Sequence, residues 1–177
     1  MFIFMNVLIR SEQNEDYDSI KRVNDEAFGQ ENEGLLVNAL RKTSKYMPSL
    51  SLVAEMNDNI IGHILFYPVT IKTDEGNFDV LSLAPIAVLP FYQKKGIGSR
   101  LVVKGLEKCK ETDFDVVIVV GHPTYYPRFG FKPASKWKIQ LPIDAPDEAF
   151  MAYELKNKTH EKYAGMVILP KEYYDAM

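Results

Sequence analysis

The stretch VLPFYQKKGIGSRLV, residues 88–102, decides the fold of this chain and the location of its functional site. An apolar run ends at Pro90, two lysines and a Gly-Ile-Gly sequence follow, and apolar residues then recur at helical spacing. The start of a helix presents unpaired N–H groups and the positive end of the helix dipole, and a phosphate satisfies both. Glycine lets the backbone approach such a ligand because it has no Cβ. The segment therefore predicts a pyrophosphate cradle, with charge from Lys94 and Lys95 and a hydroxyl from Ser99; its alternative is a plain strand-to-helix turn.

The glycine pattern does not fit two widespread phosphate-binding fingerprints. The dinucleotide pattern Gly-x-Gly-x-x-Gly requires a glycine where this chain has Leu101. The P-loop requires a longer spacing between its glycines, followed by Lys and Ser or Thr. What remains is a Gln-x-x-Gly-x-Gly pattern that begins at Gln93, directly after a predicted strand that ends in LAPIAVLP.

Hydrophobic spacing predicts two helices and a run of antiparallel strands before the glycines. The helices are Asp16–Phe28 and Glu31–Lys42, and the strands are Asn6–Arg10, Ser51–Glu55, Ile60–Thr70 and Phe78–Val88. After the glycines, a helix leads into the apolar run VVIVV, residues 116–120, which completes a right-handed βαβ unit. Late strands are predicted at Phe150–Leu155 and Gly165–Leu169. The sequence predicts one α+β domain over residues 1–177, with a central mixed, mostly antiparallel sheet flanked by helices.

Composition narrows the class of protein. The chain has 177 residues and a net charge of -3, and no basic tract runs through it, so nucleic acid is an unsuitable partner. The single Cys109 excludes an internal disulfide framework and favours a reducing, cytoplasmic compartment. The apolar start MFIFMNVLIR is shorter than the about 20 residues of a membrane span, so we expect a first strand there and no membrane partner. The scattered histidines give no metal-ligand spacing, so no metal is expected.

Two segments carry a resemblance to a known family. The Gln-x-x-Gly-x-Gly stretch resembles the acetyl-coenzyme A binding motif of the GCN5-related N-acetyltransferase (GNAT) superfamily. The segment VVIVVGHPTYYPRFGFKPA, residues 116–134, looks like that family's next strand followed by its Tyr-x-x-x-Gly-Phe signature, with Tyr126 as the tyrosine. Together with the late APDEAFMAYEL, it resembles the YhbS-like subgroup of predicted N-acetyltransferases.

The resemblance implies an activity and a set of site residues. The activity is transfer of an acetyl group from acetyl-CoA, as co-substrate, to a primary amine, directly in a ternary complex and without a metal. The βαβ unit would form the coenzyme A site, with loop amides on the pyrophosphate and the preceding strand paired with the pantetheine arm. The implied cofactor-binding residues are Ile86, Ala87, Val88, Gln93, Lys94, Lys95, Gly96, Ile97, Gly98 and Ser99. Tyr126 would be catalytic and would protonate the departing thiolate.

The residues support this chemistry independently. A tyrosine hydroxyl has an ordinary pKa of about 10, slightly above that of a thiol, so Tyr126 can donate a proton to a thiolate with little mismatch. Backbone N–H groups at Val88 or its neighbours can polarise the thioester carbonyl. Pro85 cannot donate to a strand ladder, which leaves neighbouring main-chain groups free for a ligand. The alternative for Tyr126 is core packing in an aromatic cluster with Phe129.

Several roles remain open at the level of sequence. The general base is His122, Glu31, Glu33 or water. The alternative for His122 is a structural histidine bonded to a backbone carbonyl, and the alternative for Glu31 and Glu33 is solvated helix charges. The acceptor is a small-molecule or peptide amine of unidentified structure. A homodimer is possible, with tyrosines near the end of the sequence in its interface: Tyr163, Tyr173 and Tyr174. A catalytically silent acyl-CoA-binding sensor or interaction module is the alternative to an enzyme, while a mononucleotide-binding α/β domain is disfavoured by the antiparallel strands.

Overall fold

A computed structural model of the chain describes residues 6–156 and 160–177. These residues form nine strands and four α-helices, connected in part by short 3₁₀ turns. The strands are β1 (Leu8–Ser11), β2 (Ser51–Met56), β3 (Asn59–Thr73), β4 (Gly76–Val88), β5 (Val116–Val120), β6 (Lys132–Pro133), β7 (Ile139–Gln140), β8 (Phe150–Glu154) and β9 (Gly165–Ile168). The helices are α1 (Tyr17–Phe28), α2 (Asn32–Arg41), α3 (Ile97–Lys110) and α4 (Lys171–Asp175).

All the helices and strands predicted from sequence are present, with small differences at their ends. Helix α4 and the two-residue strands β6 and β7 were not predicted. The first five residues of the apolar start lie outside the described residues. No helix of the described ranges combines the length and the apolar character needed to cross a membrane.

The sheet is mixed and mostly antiparallel, as predicted. Its strand order is β1-β2-β3-β4-β5-β8-β6, and β9 pairs with the far end of β3 and with β7. Strands β4 and β5 run parallel, which confirms the βαβ unit built around α3. Strand β7 is also parallel to β9, although only two residues pair there.

Helices cover both faces of the sheet. Helix α3 lies on the face of Phe66, and Gly105 makes this close approach possible because a Cβ there would collide with the Phe66 ring. The opposite face carries α1, α2 and α4, where Tyr67 contacts Tyr173 of α4 with ring centroids 6.4 Å apart. Cys109 lies on the buried stripe of α3, as predicted for an inert thiol, and burial raises its pKa to about 12.

A buried polar network fixes α1 and α2 to the sheet. Glu12 forms an ion pair with Arg41 (2.9 Å) and accepts hydrogen bonds from Tyr46 (2.6 Å) and Ser51 (2.7 Å). Burial alone would raise the pKa of Glu12, but the hydrogen bonds from Arg41, Tyr46 and Ser51 outweigh it and hold the pKa below its ordinary value. The carboxylate is therefore charged, and its oxygens have polar partners.

His63 belongs to this network and is a core residue, as predicted. Because the Ser51 hydroxyl donates its hydrogen bond to Glu12, the Ser51 oxygen accepts a hydrogen bond from Nε2–H of His63 at 2.9 Å. Nδ1 of His63 then accepts from the amide of Asn24 at 3.2 Å. Burial lowers the pKa of His63 from 6.5 to about 4, so the ring is neutral in the folded protein at pH 7.

Candidate functional site

A cleft opens where two neighbouring strands separate. Strands β4 and β5 pair at only two positions, Leu81 with Val117 and Ser82 with Ile118, although β4 continues to Val88. A bulge interrupts β4 beyond these pairs, because its register with β3 shifts in this region. The resulting cleft has a volume of about 770 Å³. An unpaired strand edge is thus exposed in the middle of the sheet, where an extended ligand can bind.

The alternation of hydrogen bonds decides which main-chain groups of β4 face the cleft. The N–H of Leu89 donates to the carbonyl of Ile61 on β3, at 2.9 Å. Antiparallel alternation therefore directs the main-chain groups of Ala87 toward β3 and those of Ile86 and Val88 toward the open edge. The Val88 carbonyl is taken by the side-chain amide of Gln93, at 2.9 Å. The N–H groups of Ile86 and Val88 are the donors that remain for a ligand, while Ala87 contributes only to the wall of the cleft.

The start of α3 forms one end of the cleft. Gly96 occupies the cap position with φ +82°, which favours glycine, and no side chain caps the helix. Its carbonyl accepts the first helical hydrogen bond from Arg100, at 3.1 Å. The N–H groups of Ile97, Gly98 and Ser99 therefore precede the helical ladder and are free for an anion.

The predicted phosphate residues are not all on the same side of this helix. Gln93, Lys94 and Gly98 line the cleft. The Lys95 ammonium lies over the ring of Phe91, 4.3 Å from its centroid. The buried Ile97 anchors the helix start in the core.

Ser99 differs in position from the other predicted phosphate residues. It lines a groove between β1 and α3 and is not among the residues that line the cleft, so its hydroxyl remains only a predicted phosphate contact. Only the backbone N–H of Ser99 belongs to the uncapped helix start.

Tyr126 lies in the wall of the cleft and is 6% exposed. Its ring packs edge-on between Tyr125 and Phe131, with centroid distances of 5.1 Å and 5.5 Å. Burial, and to a lesser degree the neighbouring Tyr125, raises the pKa of Tyr126 above the ordinary value of 10. The phenol is thus protonated at neutral pH, and it is a weaker acid than a free tyrosine. Tyr126 therefore packs in the aromatic cluster and lines the cleft at the same time, so its position is compatible with both the catalytic and the packing interpretation.

The candidate bases differ in where they lie. His122 lies two residues after β5, is exposed and lines the cleft, so a bound ligand can reach it. Glu33 is half-buried, lines the cleft and accepts a hydrogen bond from Gln30 at 3.0 Å. Glu31 pairs with Lys21 at 3.0 Å and does not line the cleft.

Three contributors to the cleft escaped the sequence reasoning. Phe28 lines it from the end of α1. Tyr125 places its hydroxyl against Gly98, where an added Cβ would stand 3.1 Å from the oxygen. Gly121 lies against the edge of the Tyr126 ring, at Cε2, and leaves no room for a Cβ. A glycine directly after a buried strand was the only sequence signal for this last contact.

Across the described ranges, no three His, Cys, Asp or Glu side chains come together in a way that could hold a metal ion. The cleft instead combines an uncapped helix start, an open strand edge and a buried, protonated phenol. These features define the class of acyltransferases that use a phosphate-bearing thioester as donor.

The chain belongs to the GNAT acetyltransferase family, since the sequence profile of the Acetyltransferase (GNAT) domain matches residues 8–134. It is 37% identical to the N-acetyltransferase YjhQ of Escherichia coli K12 over 145 residues, which cover 81% of this chain and 80% of YjhQ. The crystal structure of the GNAT N-acetyltransferase YhbS from Escherichia coli in complex with CoA superposes with a TM-score of 0.88 at 27% identity, covering 96% of this chain and 93% of YhbS. A GNAT acetyltransferase from Brucella melitensis, crystallised with acetyl-CoA, superposes with a TM-score of 0.77 at 28% identity and covers 96% and 99% of the two chains.

Proposed function

We propose that this protein transfers an acetyl group from acetyl-CoA to a primary amine, directly and without a covalent enzyme intermediate. The observation that carries the proposal is the cleft itself, which joins the uncapped start of α3, the open edge of β4 and Tyr126. The crystallised relatives with CoA and acetyl-CoA support the choice of donor.

The donor would bind along the length of the cleft. Its pyrophosphate fits the free N–H groups at the start of α3, and Lys94 adds positive charge beside them. Its pantetheine arm carries amide groups, which can pair with the main chain of Ile86 and Val88 as an added strand would. The thioester then lies where β4 and β5 separate, beside the N–H groups that can polarise its carbonyl.

Groups that line the cleft can supply the proton donor and the proton acceptor that the reaction needs. The amine nitrogen attacks the thioester carbonyl carbon, and the carbonyl oxygen becomes an oxyanion that accepts from a main-chain N–H. When the intermediate collapses, the carbon–sulfur bond breaks and the thiolate takes the hydroxyl proton of Tyr126. The amine loses a proton to Glu33, to His122 or to water. Because the pKa of Tyr126 is raised, its proton passes readily to the thiolate only if the thiolate is also a stronger base than in water. The apolar lining of the cleft favours this, since it disfavours the charged thiolate.

The lining of the cleft suggests a cationic acceptor. Glu33 and Phe28 both line it, so a carboxylate and an apolar ring meet an incoming small-molecule or peptide amine. The carboxylate attracts the ammonium form and can then take its proton before attack.

A silent acyl-CoA-binding module is the second candidate. The observation in its favour is that the cleft-facing part of β4, residues 83–88, has no carboxylate that could act as a base. Acetyl-CoA at about 100 times its dissociation constant should stabilise either protein by about 2.7 kcal/mol, seen as a higher melting temperature. Absence of any shift at millimolar acetyl-CoA would reject both candidates.

A thiol-release assay across a panel of amines separates the two candidates. The enzyme should release free CoA with at least one amine, and Tyr126→Phe should lower turnover by about 10²-fold while the affinity for acetyl-CoA changes little. Tight binding of acetyl-CoA without release above background for any amine would favour the silent module.

Partner and compartment remain proposals. We propose a reducing, cytoplasmic setting, since Cys109 is a buried free thiol. A homodimer stays a prediction, but Tyr163 and Tyr173 are buried within the chain itself, so only the half-exposed Tyr174 of the three tyrosines suits an interface.

A further inference from the structure

A second, smaller cavity adjoins the cleft at the point where β4 and β5 separate. Leu83, Ala84 and Val120 line both spaces, so the two are neighbours across these side chains. The cavity has a volume of about 140 Å³. A cavity of about 150 Å³ lined by Leu, Ile and Phe holds a molecule as large as benzene, so this one has room for about six carbon atoms.

The walls of the cavity are almost entirely apolar. Its remaining lining comes from β4, β5, the loop before β8, β8 itself and the segment from β9 to the residues after α4: Ser82, Ile118, Val119, Leu141, Ile143, Phe150, Leu169, Tyr173 and Met177. No charged side chain is among them. An uncharged, apolar ligand gains from burial here, and a charged one would lose its hydration without compensation.

Tyr173 lines the cavity, but its hydroxyl does not open into it. The hydroxyl of Tyr173 is buried and makes no hydrogen bond within the described part of the chain. Ser82 is close enough to influence the phenol, but the two side chains do not meet hydrogen-bond geometry. The hydroxyl is shielded from the cavity, so it adds no polar surface to the apolar lining.

The position of the cavity identifies the occupant. Tyr173 belongs to α4, so the cavity lies on the sheet face that carries α1, α2 and α4, opposite α3. A donor that enters from the start of α3 and passes between the strands points its acyl group toward this face. The part of the cleft that Glu33 and Phe28 line is left for the amine.

On this basis, which rests on the proposed function, we infer that the cavity binds the alkyl chain of the donor's acyl group, so that the protein accepts acyl-CoA thioesters of about four to six carbons. The volume, the uncharged lining and the shared wall at the strand separation all fit this ligand. An acetyl group would leave the cavity unfilled.

The test measures binding of a chain-length series by calorimetry: acetyl-, butyryl-, hexanoyl- and decanoyl-CoA. Each buried methylene contributes about fourfold in affinity, so butyryl-CoA, with two more methylenes, should bind about 15-fold more tightly than acetyl-CoA. Hexanoyl-CoA should bind at least as tightly as butyryl-CoA, and decanoyl-CoA should gain nothing further because the cavity is full.

Two substitutions that fill the cavity test whether the dependence of affinity on chain length arises there. Leu169→Trp introduces a large side chain into the cavity and should abolish the gain of butyryl-CoA while acetyl-CoA binds within about twofold of the unmodified protein. Ile143→Trp, on a loop, provides the same test should Leu169→Trp fail to fold. Leu35→Trp on α2 is the matched control, since Leu35 is half-exposed, lies outside the cavity and should leave the series unchanged.

The outcomes separate the two levels of the proposal. If the unmodified protein does not bind acetyl-CoA at all, the proposed function and this inference are both overturned. Normal acetyl-CoA binding with no dependence on chain length overturns the inference alone. If the filling variants leave the acyl series unchanged and instead raise the KM of an apolar amine, the cavity belongs to the acceptor and the inference is wrong.

Discussion

Replacement of Gly121 by alanine should displace Tyr126, the proposed proton donor, while leaving its hydroxyl in place on the ring. The new Cβ would overlap Cε2 of the Tyr126 ring outright and would stand 3.1 Å from Cδ2 and 3.2 Å from Cζ. Ordinary carbon–carbon contact needs about 3.5–4.0 Å, so the ring has to retreat by about 1 Å. On its other sides it meets Tyr125 and Phe131, which limits the directions in which it can move.

A displacement of this size has a predictable cost in rate. Misplacement of a catalytic group by about 1 Å can lower the rate by about 10²-fold, so kcat of Gly121→Ala should fall by that order. The melting temperature should drop only modestly, because Gly121 lies in the loop after β5 and its N–H bond to Ala149, at 2.9 Å, does not need a glycine. Stopped-flow detection of free thiol with the best amine of the panel gives kcat.

A double-mutant cycle tests whether the loss acts through Tyr126. In the Tyr126→Phe background, Gly121→Ala should cost little further activity, because the hydroxyl that it misplaces is already gone. Full additivity of the two substitutions, or a Gly121→Ala enzyme with more than a third of normal kcat, would refute the reasoning.

Three further predictions test other parts of the structure. Gly98→Val should weaken acetyl-CoA binding at least tenfold in a calorimetric titration, because a Cβ at this position already stands 3.1 Å from the Tyr125 hydroxyl and the added methyls enter the phosphate cradle; normal binding by the folded variant would favour the plain-turn interpretation. Activity should not fall at high pH through ionisation of Tyr126 until well above pH 10, because its pKa is raised, and a loss near pH 9 that Tyr126→Phe abolishes would contradict this. His63 should make the fold sensitive to acid: its pKa is lowered from 6.5 to about 4, so the unfolded chain binds the proton first and the free energy of unfolding falls as the pH drops from 6.5 to 4. The loss by pH 4 is about 3 kcal/mol at 1.36 kcal/mol per pH unit, measurable by urea denaturation, and His63→Gln should lack this part of the pH dependence.

The sequence predicted the elements whose signals are local. The turn MNDN joins β2 and β3 through Asn57 and Asp58, which both have positive φ, as a tight hairpin turn requires. The helical stripe of α3 and the buried run of β5 were likewise clear from hydrophobic spacing. These features need no knowledge of distant residues.

The parts that could not be predicted depend on tertiary contacts. Helix α4 has only five residues, too few to be stable alone, and is held by packing of Tyr173 against Tyr67. The position of Ser99 in the groove beside β1 depends on the helical phase set by the burial of Ile97. The contact of Gly121 with Tyr126 lies between two residues five positions apart, but only the fold of the intervening turn brings them together.

The scarcity of hydrogen bonds between β4 and β5 has a consequence for the dynamics of the protein. Within the described ranges, main-chain pairing joins β5, β8 and β6 to the rest of the sheet only through Leu81 with Val117 and Ser82 with Ile118. This edge of the sheet can therefore separate from the remainder at a lower free energy than global unfolding requires, and its amides should exchange with deuterium through such partial openings. A donor bound along β4 would bridge the separated strands as an additional strand, and the amide protons of Ile86 and Val88 would change from rapidly exchanging to protected.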